Sequence, residues 1–164
     1  MNNQEELTQS NVDGFIPEED YKKIVTRVAL PCVDVVVVSD GKFLLGKRRI
    51  DPMGGEWWVP GGRVLMGEKL LEAVGRKLKD DFGLESGYDE PKFLFVGETI
   101  FENPEGGFIR HTVNAVYRVD FQGGPDFDFE KSGISDFSEV GWFSEVDKSW
   151  HQYVKFCLEK AGFK

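Results

Sequence analysis

The segment from residue 61 to residue 84, GGRVLMGEKLLEAVGRKLKDDFGL, constrains the fold of this chain more than any other part of the sequence. It starts with two consecutive glycines, where the backbone can adopt conformations closed to other residues. Apolar residues then recur at helical spacing, and a glycine follows as a stop signal: Leu71, Val74, Leu78, Phe82 and Gly83. The segment therefore predicts a glycine loop leading into an amphipathic helix of about four turns.

The polar residues of this helix suggest a cation site. Positions 77, 80 and 81 fall on one face, so the Asp80 and Asp81 carboxylates are expected to converge on one hard cation. Mg²⁺ is the natural candidate. A simpler interpretation stays open, because Glu72, Arg76 and Asp80 follow one another at four-residue spacing, as in a solvated ladder of ion pairs.

Strands are expected on both sides of this helix. The β-branched run 29–39 and the segment 42–47 are joined by Asp40-Gly41, which favours a tight hairpin turn. Residues 103–107, NPEGG, predict a second hairpin. The remaining helices and strands are expected in the ranges 17–28, 56–60, 92–102, 108–121, 140–144 and 150–161. The order α-ββ-β-α-ββ-β-α predicts an α/β fold in which helices flank a mixed sheet.

The loop and helix resemble the signature of the Nudix hydrolase family. The residues that match this signature in register are Gly62, Glu68, Arg76, Leu78, Gly83 and Leu84. Lys77, Asp80 and Asp81 stand where the signature has glutamates that bind metal. The resemblance implies a Nudix fold, with a mixed β-sheet sandwiched between helices. It also implies that Mg²⁺ or Mn²⁺ assists hydrolysis of a nucleoside diphosphate joined to another group.

Lys77 is the departure with the largest chemical consequence. An ammonium cannot coordinate a metal and repels it, while aspartate reaches one methylene less far than glutamate. Two accounts remain open: either the site has lost activity, or it belongs to a branch that holds one metal with fewer carboxylates.

The flanking segments FLLGKR (43–48) and WWVPGGRV (57–64) resemble the GDP-mannose mannosyl hydrolase branch of the family. This branch cleaves the sugar C–O bond and releases GDP. The resemblance implies that Asp34 lies close to the sugar, that Arg48 and Arg63 bind the diphosphate, and that His111 contacts substrate. A carboxylate stabilises an oxocarbenium-like sugar, and arginine stabilises the departing diphosphate.

The resemblance also implies a metal position and two residues that orient it. The metal would lie between the Gly61 carbonyl, Asp81 and either Asp80 or Asp136, with Glu68 and Arg76 orienting the loop and helix. Asp136 and Phe137 stand where the branch has a glutamine on the metal and a histidine base. Since phenylalanine cannot accept a proton, the general base stays unassigned.

Two other functions are compatible with these residues. The first is the usual Nudix reaction, in which water attacks phosphorus to give a nucleoside monophosphate and a phosphorylated partner. The second is a nucleotide-sugar-binding module without catalysis, which Lys77 and Phe137 would favour. Asp34 and His111 also have structural interpretations, as a carboxylate bonded to backbone amides and as an ordinary strand histidine.

Charge and composition limit the partners and the location. The formal net charge of −9 repels phosphate backbones and anionic lipid, so we expect a small nucleoside-diphosphate substrate and neither nucleic acid nor membrane. Residues 1–16 predict a flexible tail without a signal sequence, and residues 17–164 a single domain. We therefore expect a cytoplasmic protein with two buried free thiols, Cys32 and Cys157. A homodimer is expected only because the resembling branch dimerises.

Overall fold

The computed structural model describes residues 16–102, 110–124 and 136–164. Within these residues, seven strands form one sheet flanked by three helices, which confirms the expected α/β arrangement. The helices are α1 (Glu18–Val25), α2 (Leu70–Phe82) and α3 (Gln152–Lys160). The strands are β1 (Leu30–Ser39), β2 (Lys42–Arg48), β3 (Trp57–Trp58), β4 (Gly61–Arg63), β5 (Lys92–Phe101), β6 (Arg110–Asp120) and β7 (Phe137–Phe143).

The sheet is mixed. The strand order is β3-β2-β1-β6-β5, with β4 added beside β1 and β7 beside β2. Strands β1 and β6 run parallel, whereas the other pairs are antiparallel. All but one of the β1 residues are buried, so both faces of this central strand are covered. Its continuous apolar run thus reflects burial on two sides rather than one.

The predicted turn and helix stop are both present. Asp40 and Gly41 have positive φ angles of 49° and 74°, which is the backbone of a two-residue hairpin turn between β1 and β2. Gly83 ends α2 in the left-handed region with φ 67°, and its N–H donates to the Lys79 carbonyl at 2.8 Å. Of the apolar residues expected on the inner face of α2, Val74, Leu78 and Phe82 are buried, whereas Leu71 in the first turn is 47% exposed.

Strand β4 is the main element that the sequence did not predict. Residues 61–63 were expected to be a loop, yet they pair antiparallel with β1, and Gly61 lies opposite Asp34. A side chain at Gly61 would collide with the Asp34 carboxylate and the Val33 carbonyl, so only glycine permits this pairing. Gly61 therefore allows strand β4 to lie close against strand β1.

Several boundaries also differ from those expected. The helical pattern in the sequence runs from Glu68, whereas α2 begins at Leu70. Helix α1 ends at Val25 rather than at residue 28, and α3 spans Gln152–Lys160 rather than 150–161. Strand β7 begins at Phe137 instead of residue 140, because the Phe137 ring is 3% exposed and stacks on Phe82 with ring centroids 5.4 Å apart. Core packing thus extends the strand towards its N-terminus.

Some sequence expectations fall outside the described residues. These are residues 1–15 of the expected tail, the NPEGG hairpin and residues 108–109. Cys32 and Cys157 are buried and unbonded to each other, as expected. Among the helices of the described ranges, none combines the length and apolar character needed to cross a membrane.

Candidate functional site

A cavity of about 330 Å³ opens beside β1 and β4. Of the ten residues expected to bind metal or substrate, to act in catalysis or to orient the site, six line it: Asp34, Arg48, Gly61, Arg63, Arg76 and Asp136. The structure thus brings together residues from β1, β2, β4 and α2 with the residue that precedes β7. Glu68, Asp80, Asp81 and His111 do not line the cavity.

Asp34 is a buried carboxylate held by a tyrosine. It is 6% exposed, and the Tyr153 hydroxyl of α3 donates a hydrogen bond of 2.5 Å to its Oδ2 atom. Burial raises the pKa of Asp34 to about 6, while the Tyr153 bond and the Arg48 charge act in the opposite direction. Asp34 is therefore ionised at neutral pH, and its carboxylate is poorly solvated and fixed in orientation.

Basic side chains outnumber acidic side chains in the cavity lining. Five basic and two acidic side chains of the described residues face the cavity, although the whole chain carries a formal charge of −9. Arg48 is anchored by its Nε atom, which donates to the Pro52 carbonyl at 2.7 Å. Arg63 lies over the Tyr21 ring of α1, with its guanidinium carbon 6.0 Å from the ring centroid. The charged side chains of the lining are therefore mostly positive in an acidic protein, which favours a small anion.

Glu68 and Arg76 hold the loop that joins β4 to α2. The Arg76 guanidinium donates to both Glu68 oxygens, at 2.6 and 3.0 Å, and to the Arg63 carbonyl at 2.9 Å. Glu68 also accepts the Leu65 N–H at 2.9 Å, and its bond to Arg76 lowers the pKa of the carboxyl. This geometry agrees with an orienting role for both residues and positions Arg63 at the cavity.

Asp81 is fully buried against a lysine. Lys77 Nζ donates to Asp81 Oδ1 at 2.7 Å, and the Gly61 N–H donates to Asp81 Oδ2 at 3.2 Å. Burial raises the pKa of Asp81 to about 6, against the opposing effect of Lys77. Lys77 Nζ also lies 3.5 Å from Asp136 Oδ2, so one ammonium bridges two carboxylates.

Asp80 does not converge with Asp81. Its carboxylate is 48% exposed and lies 3.5 Å from Arg76 Nη1, on the outer side of α2. Successive helical residues point about 100° apart, and Arg76 one turn earlier draws Asp80 away. The ion-pair interpretation of Arg76 and Asp80 is thus present in the structure alongside the orienting bonds to Glu68.

These contacts do not fit the divalent metal that the sequence resemblance implies. A cation such as Mg²⁺ requires several oxygen ligands free to converge. Here Glu68 and Asp80 are bound by Arg76, and Asp81 is bound by Lys77. In the part of the chain that the structure describes, no cluster of three or more His, Cys, Asp or Glu side chains is placed to hold a metal.

His111 points away from the cavity. It is half exposed on β6, and its Nε2 atom lies 3.4 Å from Glu98 Oε2. Because side chains alternate along a strand, Arg110, Thr112 and Asn114 face the cavity while His111 faces the opposite side. Substrate binding by His111 stays a prediction without support from this geometry.

The sequence did not identify several cavity residues. Arg110, Thr112 and Asn114 share one face of β6, and this alternation of polar residues was a usable signal. Tyr153 lies in the segment 150–161 that predicts the last helix, but nothing in the sequence connects it with Asp34, 119 positions earlier. Lys77 was noted only as a departure from a pattern, and its burial required the fold.

The structure also reduces the number of residues that could act as the general base. Phe137 is a core residue, so it takes no part in proton transfer. Glu139 is exposed and pairs with Lys47, outside the cavity. Asp136 lines the cavity with its side chain 45% exposed, which gives it access to water.

Comparisons with known proteins cover most of this chain. A family model described as NUDIX domain matches residues 29–153. The low-salt glycan biosynthesis protein Agl8 of Haloferax volcanii is 40% identical over 144 residues, 88% of this chain and 89% of that protein. An ADP-ribose pyrophosphatase of Methanocaldococcus jannaschii is 34% identical over 92 residues, which cover 56% of this chain and about half (51%) of that protein.

Solved structures share the fold. A MutT NUDIX hydrolase from Burkholderia pseudomallei gives a TM-score of 0.64 at 24% identity, covering 82% of this chain and 98% of that one. The NUDIX domain of Shewanella oneidensis NrtR, complexed with ADP ribose, gives 0.63 at 22% identity, covering 98% and 97%. At these identities the likeness shows a common α/β fold.

Proposed function

Because this chain belongs to the NUDIX domain family, we propose that it hydrolyses a nucleoside-diphosphate sugar in the cavity around Asp34. The observation that carries the proposal is a basic cavity built around a buried carboxylate in an acidic chain. Such a cavity attracts a small polyanion while the rest of the surface repels larger ones. The names of two relatives, a glycan biosynthesis protein and an ADP-ribose pyrophosphatase, support a substrate of this class.

GDP-mannose is our first choice of substrate, with cleavage of the sugar C–O bond. Water adds to the anomeric carbon, the bond to the diphosphate oxygen breaks, and GDP and mannose are released. The Asp34 carboxylate stabilises the positive charge that develops on the sugar. Arg48 and Arg63 stabilise the negative charge on the departing diphosphate.

Asp136 is the group that we propose to activate water. It lies at the cavity, is partly exposed, and is held near Lys77. In this scheme the proton lost by water passes to Asp136 and then to solvent. We assign no step to Mg²⁺ or Mn²⁺, since the carboxylates of the Nudix signature are already bound by Arg76 and Lys77.

Aromatic side chains form part of the cavity wall. Trp58, Tyr21 and Phe101 line it, and Trp58 stacks against Tyr153 with ring centroids 5.7 Å apart. Flat apolar faces of this kind bind a nucleobase or the apolar face of a sugar. They suit a substrate that carries both.

The test is to incubate the purified protein with GDP-mannose in water enriched in ¹⁸O and to identify the products by mass spectrometry. GDP with label in mannose is the expected result. GMP and mannose 1-phosphate, with label on phosphate, would assign the usual attack at phosphorus. Asp136→Asn is expected to abolish product formation in either case, whereas Asp34→Asn is expected to abolish the release of GDP and mannose.

Absence of product would favour a binding module without catalysis. A panel that includes ADP-ribose and other nucleotide sugars guards against a wrong choice of base or sugar. Binding of GDP without turnover of any panel member would then replace the enzyme assignment. The homodimer that the sequence resemblance implies stays a prediction, which sedimentation equilibrium of the full chain would decide.

A further inference from the structure

Lys77 lies at the point where the carboxylates of the loop and helix would otherwise meet. It is 7% exposed, and its ammonium contacts Asp81 at 2.7 Å and Asp136 at 3.5 Å. Lys77 also lines the cavity, so its charge is available to a bound ligand. Lys77 is therefore a cation that the fold holds in place. Two carboxylates fix its ammonium, which also borders the cavity.

The backbone of β4 makes room for this ammonium. A side chain at Gly62 would begin 3.2 Å from Lys77 Cε and 3.5 Å from its Nζ atom. Gly62 therefore lets the long lysine side chain lie close against the strand. The neighbouring Gly61 N–H satisfies the second oxygen of Asp81, so this carboxylate has no oxygen without a donor in the described contacts.

A divalent metal at this position would meet strong opposition. It would lie within a few ångströms of the Lys77 ammonium, and two like charges at such distances repel each other in a poorly solvated site. It would also have to displace Lys77 from Asp81, which is fully buried and already hydrogen bonded twice. Removing one partner of a buried pair is costly.

We propose that Lys77 is a built-in cation that takes the place of the family's divalent metal. Its ammonium balances one of the two negative charges of Asp81 and Asp136, and together with the arginines that line the cavity it attracts the anionic part of the ligand. That this anion is a diphosphate rests on the proposed function. The site accordingly binds its ligand with the same affinity in the presence and absence of Mg²⁺.

The metal itself gives the first test. Mn²⁺ binding is measured by electron paramagnetic resonance for the wild type, Lys77→Glu and Lys160→Glu. Lys77→Glu makes a third carboxylate beside Asp81 and Asp136, so we expect it to gain one Mn²⁺ per chain. Lys160→Glu is the matched control, because it makes the same charge change on an exposed lysine of α3 that lies 5.0 Å over the Phe156 ring.

The wild type is expected to bind no Mn²⁺ up to millimolar concentration, and its melting temperature should not change with Mn²⁺. Lys77→Glu should melt at a higher temperature when Mn²⁺ is added, as for any ligand that binds only the folded state. One Mn²⁺ per wild-type chain, lost in Asp81→Asn, would overturn the proposal. This measurement on the wild type decides the matter even if Lys77→Glu does not fold.

GDP gives the second test, by calorimetric titration with Mg²⁺ or with EDTA. We expect wild-type dissociation constants that agree within about twofold, and binding weakened about tenfold in Lys77→Met, which removes one charge contact. Tightening of wild-type binding by about tenfold or more with Mg²⁺ would overturn the inference. If GDP binds in neither buffer, the proposed function fails, while the Mn²⁺ result still decides whether Lys77 excludes a metal.

Discussion

The Tyr153 hydroxyl donates to Asp34 Oδ2 at 2.5 Å inside the cavity wall, and so joins the last helix to the central strand. The bond favours the ionised carboxylate, and it lowers the pKa that burial raises. We therefore expect Tyr153 to act as a positioning residue, which affects the substrate through Asp34.

Tyr153→Phe should move the acid limb of the kcat/KM profile to higher pH. Removing the hydroxyl leaves Asp34 with one donor fewer, so its pKa rises further above its ordinary value. The loss of a buried bond to a charged group should also cost about 1–3 kcal/mol of unfolding free energy. Tyr117→Phe, a buried tyrosine outside the cavity, is the control and should leave the profile in place.

Asp34→Asn should change the pH dependence of stability. Asp34 has a folded pKa of about 6 against 3.8, so its contribution is present below pH 3.8 and is lost as pH rises through 6. In Asp34→Asn the side chain does not ionise, so this loss of stability with rising pH does not occur. Relative to wild type, its unfolding free energy should therefore rise by about 2–3 kcal/mol between pH 4 and pH 8, at 1.4 kcal/mol per unit of pKa. Urea unfolding measures the difference, and a difference independent of pH would contradict the assignment.

Glu68→Gln should show the opposite pH dependence. Its bond to Arg76 lowers the pKa of Glu68, so the stabilisation is present above the ordinary value of 4.5 and is lost as pH falls through the folded pKa. At pH 7 we expect a loss of about 1–2 kcal/mol, because a charge-assisted pair becomes a neutral one. Glu72→Gln, which alters an exposed carboxylate of the same helix, should stay within about 0.5 kcal/mol of wild type. Equal effects of the two variants would show that the Arg76 pair does not hold the loop.

Arg48→Ala should weaken binding of GDP by about 10- to 100-fold, since hydrogen bonds to charged groups contribute about 1.5–3 kcal/mol. Arg49→Ala is the matched control. The neighbouring Arg49 donates to the Phe137 carbonyl at 3.0 Å and does not line the cavity. Calorimetric titration compares the two variants after circular dichroism has shown that both are folded. A larger effect of Arg49→Ala would place the diphosphate elsewhere.

His111→Ala should leave the dissociation constant of GDP-mannose within about twofold of wild type, as expected for a surface substitution away from the site. The imidazole lies on the opposite face of β6 from Arg110 and Thr112. Asn114→Ala, on the cavity face of the same strand, is the comparison and should weaken binding. A loss of affinity in His111→Ala alone would restore the role that the sequence resemblance implied.

Local patterns determined much of the fold. The Asp40-Gly41 turn, the Gly83 stop and the apolar spacing of α2 depend on neighbouring residues. The structure confirms the turn, the stop and most of the apolar face, with Leu71 as the exception. The fixed spacing of Gly62, Glu68 and Arg76 likewise pointed to the loop and helix that form one wall of the cavity.

Tertiary structure alone decided which side chains meet in the site. The sequence placed Asp80 with Asp81, but packing buries Asp81 beside Lys77 and leaves Asp80 on the surface with Arg76. It gave no means of pairing Tyr153 with Asp34 or of choosing the face of β6 that carries His111. These outcomes depend on strand register and on contacts between distant segments, where a shift of one residue exchanges the buried and exposed faces. Local sequence therefore determined most of the helices and strands, with β4 as the exception, whereas long-range packing determined which charges face the cavity.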